Sequence, residues 1–137
     1  HLVDGQGQVA GFEREVGDAL CKLAGLECTW TTNDWDSINP NLQSGNYDVI
    51  IAVMPITDER KKVIAFSENY YPPAASAYLA ASADADVKTG VVSAQVGTIH
   101  SAYVAESGAT LLEFPTPDET VAAVRTGEAA AVFADKD

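Results

Sequence analysis

Arg60 and Asp135 are acid–base opposites placed where an α/β chain meets small molecules, and together they suit a ligand carrying both a carboxylate and an amine. Upstream of Arg60, the apolar run Val49-Ile50-Ile51-Ala52-Val53 is short enough to be a strand buried on both faces. Thr57-Asp58-Glu59-Arg60 then reads as a helix start, with a hydroxyl to cap and acids in the first turn. Ligands bind open α/β sheets at the carboxyl ends of strands. An arginine there, with Trp35 one crossover earlier, fits a carboxylate, because the planar guanidinium can bond both oxygens. The plainer reading pairs Arg60 with a surface acid and leaves Trp35 in the core. Asp135 follows the apolar stretch 130–134 and can take an ammonium. Gly97-Thr98 opens a helix whose first amides, through Ile99, can hold an anion. His100 lies in that first turn, either facing a cleft or exposed on the helix.

Other chemistry has little support. The two histidines, His1 and His100, show no metal-ligand spacing with an acid or thiol. Neither a G-x-S-x-G elbow nor a P-loop occurs, and Gly5-Gln-Gly7 is a loose turn before a helix. The expectation is therefore a binding site with no catalytic residue, no metal and no cofactor. A net charge of −12 disfavours nucleic acid or an anionic membrane as partner. No apolar run approaches 18 residues, so no membrane-spanning helix is expected.

The elements that must position these residues alternate. Phe12, Val16, Leu20 and Leu23 share one helical face, and Gly25 stops that helix. Cys28-Thr-Trp-Thr-Thr32 reads as a strand. Asn33 or Asp34 caps a short helix carrying Ile38, Pro40 and Leu42, with Gly45 after its end. With the strand at 49–53, the order helix–strand–helix–strand implies a parallel sheet with right-handed crossovers. The segment Tyr70-Tyr71-Pro72-Pro73 interrupts the pattern and marks a boundary. Beyond it, strands at 77–81, 90–95, 110–114 and 130–134 alternate with helices opened by Thr98 and by the capping box Thr116-Pro117-Asp118-Glu119. Cys21 and Cys28 flank the turn at Gly25, which can bring the sulfurs within bonding range. The alternative is two buried thiols in a cytosolic protein. Two cysteines and no others, spaced as a local clip, favour a disulfide and an oxidising compartment.

These residues together resemble the polar amino-acid-binding (family 3) periplasmic solute-binding proteins of bacterial ABC importers. The resemblance rests on Gly11-Phe12-Glu13, the Cys21/Cys28 pair, Trp35-Asp36, Leu42-x-x-Gly-x-Tyr-Asp48 and Ile56-Thr-Asp-Glu-Arg-Lys61. It continues through Phe66-Ser67-x-x-Tyr70-Tyr71, Gly97-Thr98, and Gly127 leading to Asp135. It implies an α/β, two-lobed periplasmic-binding-protein-like fold, each lobe a parallel-type sheet flanked by helices and incomplete in this chain. Lobe 1 would span 1–72 and lobe 2 73–137, with a hinge near 71–76. By resemblance, Trp35 packs on the ligand and Arg60 holds its α-carboxylate. Thr98 and Ile99 add hydroxyl and amide contacts beside His100, and Asp135 takes the α-ammonium. The lobes close by a hinge, and an ABC permease in the inner membrane reads the closed form of this periplasmic protein.

The sequence departs from the family's pattern in three places. Ala52-Val53-Met54-Pro55 replaces residues that are often serine, so Val53 and Met54 border the ligand where hydroxyls usually stand. Pro55 has no N–H where a backbone donor is commonly aimed at the carboxylate. The chain also looks truncated at both ends, lacking a first strand and a return crossing. For such a chain an uncovered edge at 49–53 and self-association are expected. Two alternatives share the scaffold: a dehydratase-like enzyme and a ligand-sensing receptor ectodomain. An enzyme needs an acid–base pair at the cleft, for which His100 is the candidate.

Overall fold

A computed structural model describes residues 2–136. The chain divides into two compact units, His1–Tyr71 and Pro72–Asp137.

The first unit is built mainly from short helices. Strands β1 (Leu2–Val3) and β2 (Val9–Ala10) pair antiparallel. The turn between them is organised by Asp4, whose carboxylate accepts the N–H groups of Gln6 and Gln8 at 2.8 and 2.9 Å. Helix α1 (Phe12–Ala24) has Glu13 and Glu15 in its first turn and Lys22 in its last, matching the helix dipole. Gly25 ends it in the left-handed region at φ 69°, where its N–H and that of Leu26 close on Lys22 and Cys21 carbonyls. That turn places Cys21 and Cys28 6.2 Å apart at Cα, and they are disulfide-bonded. A 3₁₀ turn at Trp35–Ser37 leads into α2 (Ile38–Gln43), and α3 (Asp58–Lys61) follows.

Three expectations for this unit are corrected. The segments at 28–32 and 49–53 are not in strands, so the parallel sheet expected here is not formed among the described residues. A strand needs a partner ladder, and among these residues none pairs with 49–53. Val49 is 70% exposed and Val53 turns to φ 45°, breaking the extended run. The third correction concerns the buried face of α1. Phe12, Leu20 and Leu23 are exposed, whereas Glu13 and Gly17 are buried. The Trp30 ring lies across Gly17 so closely that a Cβ there would clash with it. Asp18 accepts the indole N–H at 3.0 Å, and the Arg14 guanidinium stacks 5.0 Å from the ring centroid. Helical periodicity assigned the apolar stripe, but a tryptophan from outside the helix decides which side is covered.

The second unit is an α/β layer structure. Strands β3 (Ser76–Ala80), β4 (Val91–Gln95), β5 (Thr110–Phe114) and β6 (Ala131–Asp135) form one sheet in the order β3-β6-β4-β5. β4 runs parallel to β5 and β6, while β3 pairs antiparallel with β6. Helices α4 (Ile99–Glu106) and α5 (Pro117–Arg125) both pack on it. Val92, Ser93 and Ala94 of β4 are all fully buried, as expected for a strand covered on both faces. Ser93 meets α5, its hydroxyl donating to the Thr120 carbonyl at 2.9 Å, so this buried polar group is satisfied. Val92 pairs with Ala131 and lies on the opposite face, which also carries Phe133 and Asp135 and is covered by α4. Val104, Ala123, Ala129 and Val132 complete the core. The sequence signals for these helices act as expected. Thr116 and Glu119 form a reciprocal capping box, and Thr98 caps α4 by accepting the Ser101 N–H at 3.1 Å.

Candidate ligand-binding residues in the two units

Arg60 is aimed by its own helix start. Thr57 caps α3 by accepting the Arg60 N–H at 3.2 Å, and the acids of the first turn engage neighbours of their own. Asp58 pairs with Lys61 at 3.5 Å and Glu59 with Lys62 at 2.6 Å, all on the exposed side. The Arg60 side chain turns the other way, half-buried, and Nη1 donates to the Pro55 carbonyl at 2.8 Å. Its guanidinium lies 5.8 Å from the Trp35 ring centroid, within cation–π range. Burial lowers the guanidinium pKa from its ordinary value, yet an arginine remains charged at any physiological pH. A desolvated cation beside an aromatic plane is well suited to a carboxylate.

Pro55 has a part that its sequence did not reveal. It lacks the N–H of the usual residue, but its carbonyl fixes the arginine fork. Val53 and Met54, both half-buried, lie just before it. Val53 sits at φ 45°, an uncommon conformation for a β-branched residue, with its N–H donating to the Tyr70 hydroxyl at 3.0 Å. Strain of this kind costs about 1–3 kcal/mol and collects at functional segments. In the sequence Tyr70 reads as part of the boundary and of the family pattern, and nothing local signals its bond across 17 residues. An open depression of about 650 Å³ along α3, lined by Ile56, Lys61, Phe66 and Asn69, does not include Trp35 or Arg60.

In the second unit the structure brings His100 and Asp135 together. The imidazole Nε2 lies 3.2 Å from Asp135 Oδ1 and 3.1 Å from Ser76 Oγ. His100 is 8% exposed, so the exposed-helix reading of this residue is set aside. The Asp135 side chain remains 53% exposed at the end of β6. Thr98 uses its hydroxyl in its own cap, donating to the Gln95 carbonyl at 2.6 Å while accepting from Ser101. Ile99 begins α4 and is 38% exposed. Trp35, Val53, Met54 and Arg60 thus lie in the first unit, where Arg60 meets Trp35, and Thr98, Ile99, His100 and Asp135 in the second, where His100 meets Asp135. Ser76 is the neighbour that sequence reading missed; only the β3–β6 pairing, 59 residues apart, places it opposite Asp135.

The second unit is a helix-flanked α/β sheet with an acid at the end of β6. Residues 1–134 match the bacterial extracellular solute-binding proteins, family 3, and the chain belongs to that family. Among curated relatives, it is 29% identical over 137 residues to an arginine-binding periplasmic protein of Mannheimia haemolytica, covering 98% of this chain and 57% of that protein. Among solved structures, it is similar to a periplasmic His/Glu/Gln/Arg/opine family-binding protein from Silicibacter pomeroyi in complex with lysine. That match has 63% identity and a TM-score of 0.94, covering 98% of this chain and 61% of the other. An ancestral amino acid-binding protein, a precursor of cyclohexadienyl dehydratase, matches at 31% identity with a TM-score of 0.87, covering 98% and 64% of the two chains. The chain therefore spans about three-fifths of the length of the proteins it matches.

Proposed function

We propose that the protein binds an amino acid or amino-acid-like solute in an interlobe cleft, outside the cytoplasm, and delivers it to an ABC permease of the inner membrane. The observation that carries this reading is the shielded Arg60 guanidinium, fixed by the Pro55 carbonyl beside Trp35. Arg60 takes the α-carboxylate and Trp35 packs on the ligand, with Val53 and Met54 at its border. Asp135 takes the α-ammonium, and Thr98, Ile99 and His100 line the same end of the second unit. The two units act as lobes that close about a hinge near 71–76. Family membership, and relatives named for binding arginine and for a lysine complex, support a solute of this class. The disulfide suits an extracytoplasmic location.

Binding is favoured over a dehydratase-like reaction by family membership and by the curated relatives, which are named for binding amino acids. Receptor ectodomains on the same scaffold would share the ligand site and differ only in what it is coupled to. Asp135→Asn preserves size and one acceptor but removes the charge. By calorimetry, its affinity for L-lysine is expected to be at least tenfold weaker; unchanged affinity would show that Asp135 does not hold the ammonium.

A further inference from the structure

We propose that His100, itself held by Ser76, is a positioning residue for the Asp135 carboxylate, and that it makes amine binding at Asp135 depend on pH. The inference rests on the reading of Asp135 as the ammonium site. Ser76 and Asp135 are direct cross-strand partners at one end of the β3–β6 ladder, so their side chains share a face. Tyr78 and Phe133 are the next pair on that face, with ring centroids 4.7 Å apart. Helix α4 crosses both pairs. His100 meets the polar pair, and Tyr103, one turn later, stacks 5.0 Å from Phe133. The Phe133 ring also meets the imidazole edge-on at 5.4 Å, which fixes the plane of the histidine.

The chemistry follows from that placement. Nε2 faces an ionised carboxylate, so it carries a proton and donates; the Ser76 oxygen can accept a share of the same N–H. The imidazolium forms by protonation at Nδ1 and keeps the Nε2–H, so the geometry persists while the charge changes. The groups facing the imidazole are Asp135 and Phe133 from β6 and Ser76 from β3, with Tyr103 on its own helix. Among the described residues at this contact, Asp135 is the charged partner. Lys136 follows it, exposed to solvent.

The sign is definite. An imidazolium at His100 neutralises Asp135 and repels an incoming ammonium, so amine affinity is lower where histidine is protonated and rises as it deprotonates. Binding of the amine must in turn release a proton. Because a single group is involved, the slope cannot exceed tenfold per pH unit. With Asp135 half-exposed to water, coupling at the lower end of the usual range is expected, about five- to tenfold.

The experiment is calorimetry with L-lysine at pH 7.5 and 5.5, in buffers of different ionisation enthalpy. Wild type is expected to bind about five- to tenfold more weakly at the lower pH, with proton release on binding. His100→Gln keeps a donor N–H but cannot titrate here, so its affinity is expected to be the same at both pH values. Ser76→Ala should weaken binding at both while retaining the slope. A wild-type affinity independent of pH, or a slope that survives in His100→Gln, would overturn the proposal. A readout without ligand separates this from the function itself. By NMR, the His100 Nε2–H resonance should move in Asp135→Asn relative to wild type, and an unmoved resonance would overturn the pairing. No L-lysine binding at either pH, with the resonance still moved, would overturn the amine reading of Asp135 and the pH dependence with it, while the pairing stands.

Discussion

Arg60→Ala is expected to weaken L-lysine binding by about 2–5 kcal/mol, from roughly thirtyfold to several thousandfold. The size follows from where the guanidinium sits. It is half-buried near the Trp35 ring, and one N–H is already committed to the Pro55 carbonyl, so its orientation is set before any ligand arrives. A preorganised donor loses less entropy on binding than a mobile surface arginine. Truncation would leave a carboxylate removed from water with no countercharge, and that penalty dominates. Arg60→Lys is expected to recover only part of the loss, because an ammonium cannot reproduce the two-point fork or the stacking. Calorimetry measures both variants. Affinity for Arg60→Ala within a few-fold of wild type would make the residue a structural support for the Pro55 turn and no more.

Reduction of the Cys21–Cys28 bridge should produce the second-largest effect, a loss of about 2–3 kcal/mol from the first unit by chain-entropy reasoning. The bridge closes a short loop, so the entropy it removes from the unfolded chain is modest. Its importance lies in what it ties down. Leu20 and Leu23 in the last turns of α1 are exposed, and the end of the helix is held by the Gly25 turn and this bond. Denaturant unfolding of the Cys21→Ser/Cys28→Ser double variant should show a lower midpoint. Thiol titration of the denatured, unreduced protein should find no free cysteine. Two reactive thiols, or an unchanged midpoint in the double variant, would contradict this account.

How much of this could be read from the sequence depended on whether the signal was local. The Gly25 stop and the caps at Thr57, Thr98 and Thr116 act within one turn, and each appears where its pattern places it. Strands at 91–95, 110–114 and 131–135 were legible because they are short apolar runs that find partners inside the chain. The run at 49–53 has the same composition but no partner among the described residues, and composition cannot supply a ladder. Trp30 against Gly17 is similar, since a packing partner beyond the helix overrode the apolar stripe. For the candidate site, residue type singled out Arg60, Trp35, His100 and Asp135. What supports them was hidden: Pro55 acts through a carbonyl, which every residue has, and Ser76 through a cross-strand register.

The central claim is that an amino acid is held by both of its charged ends. The most direct measurement compares L-lysine with cadaverine, which lacks the carboxylate, and 6-aminohexanoate, which lacks the α-amine, by titration calorimetry against the same protein. L-lysine should bind, with each analogue weaker by at least about tenfold, as expected when a charged partner in a shielded site is left unpaired. Cadaverine binding as tightly as L-lysine would remove Arg60 from the account, and equal binding of 6-aminohexanoate would remove Asp135.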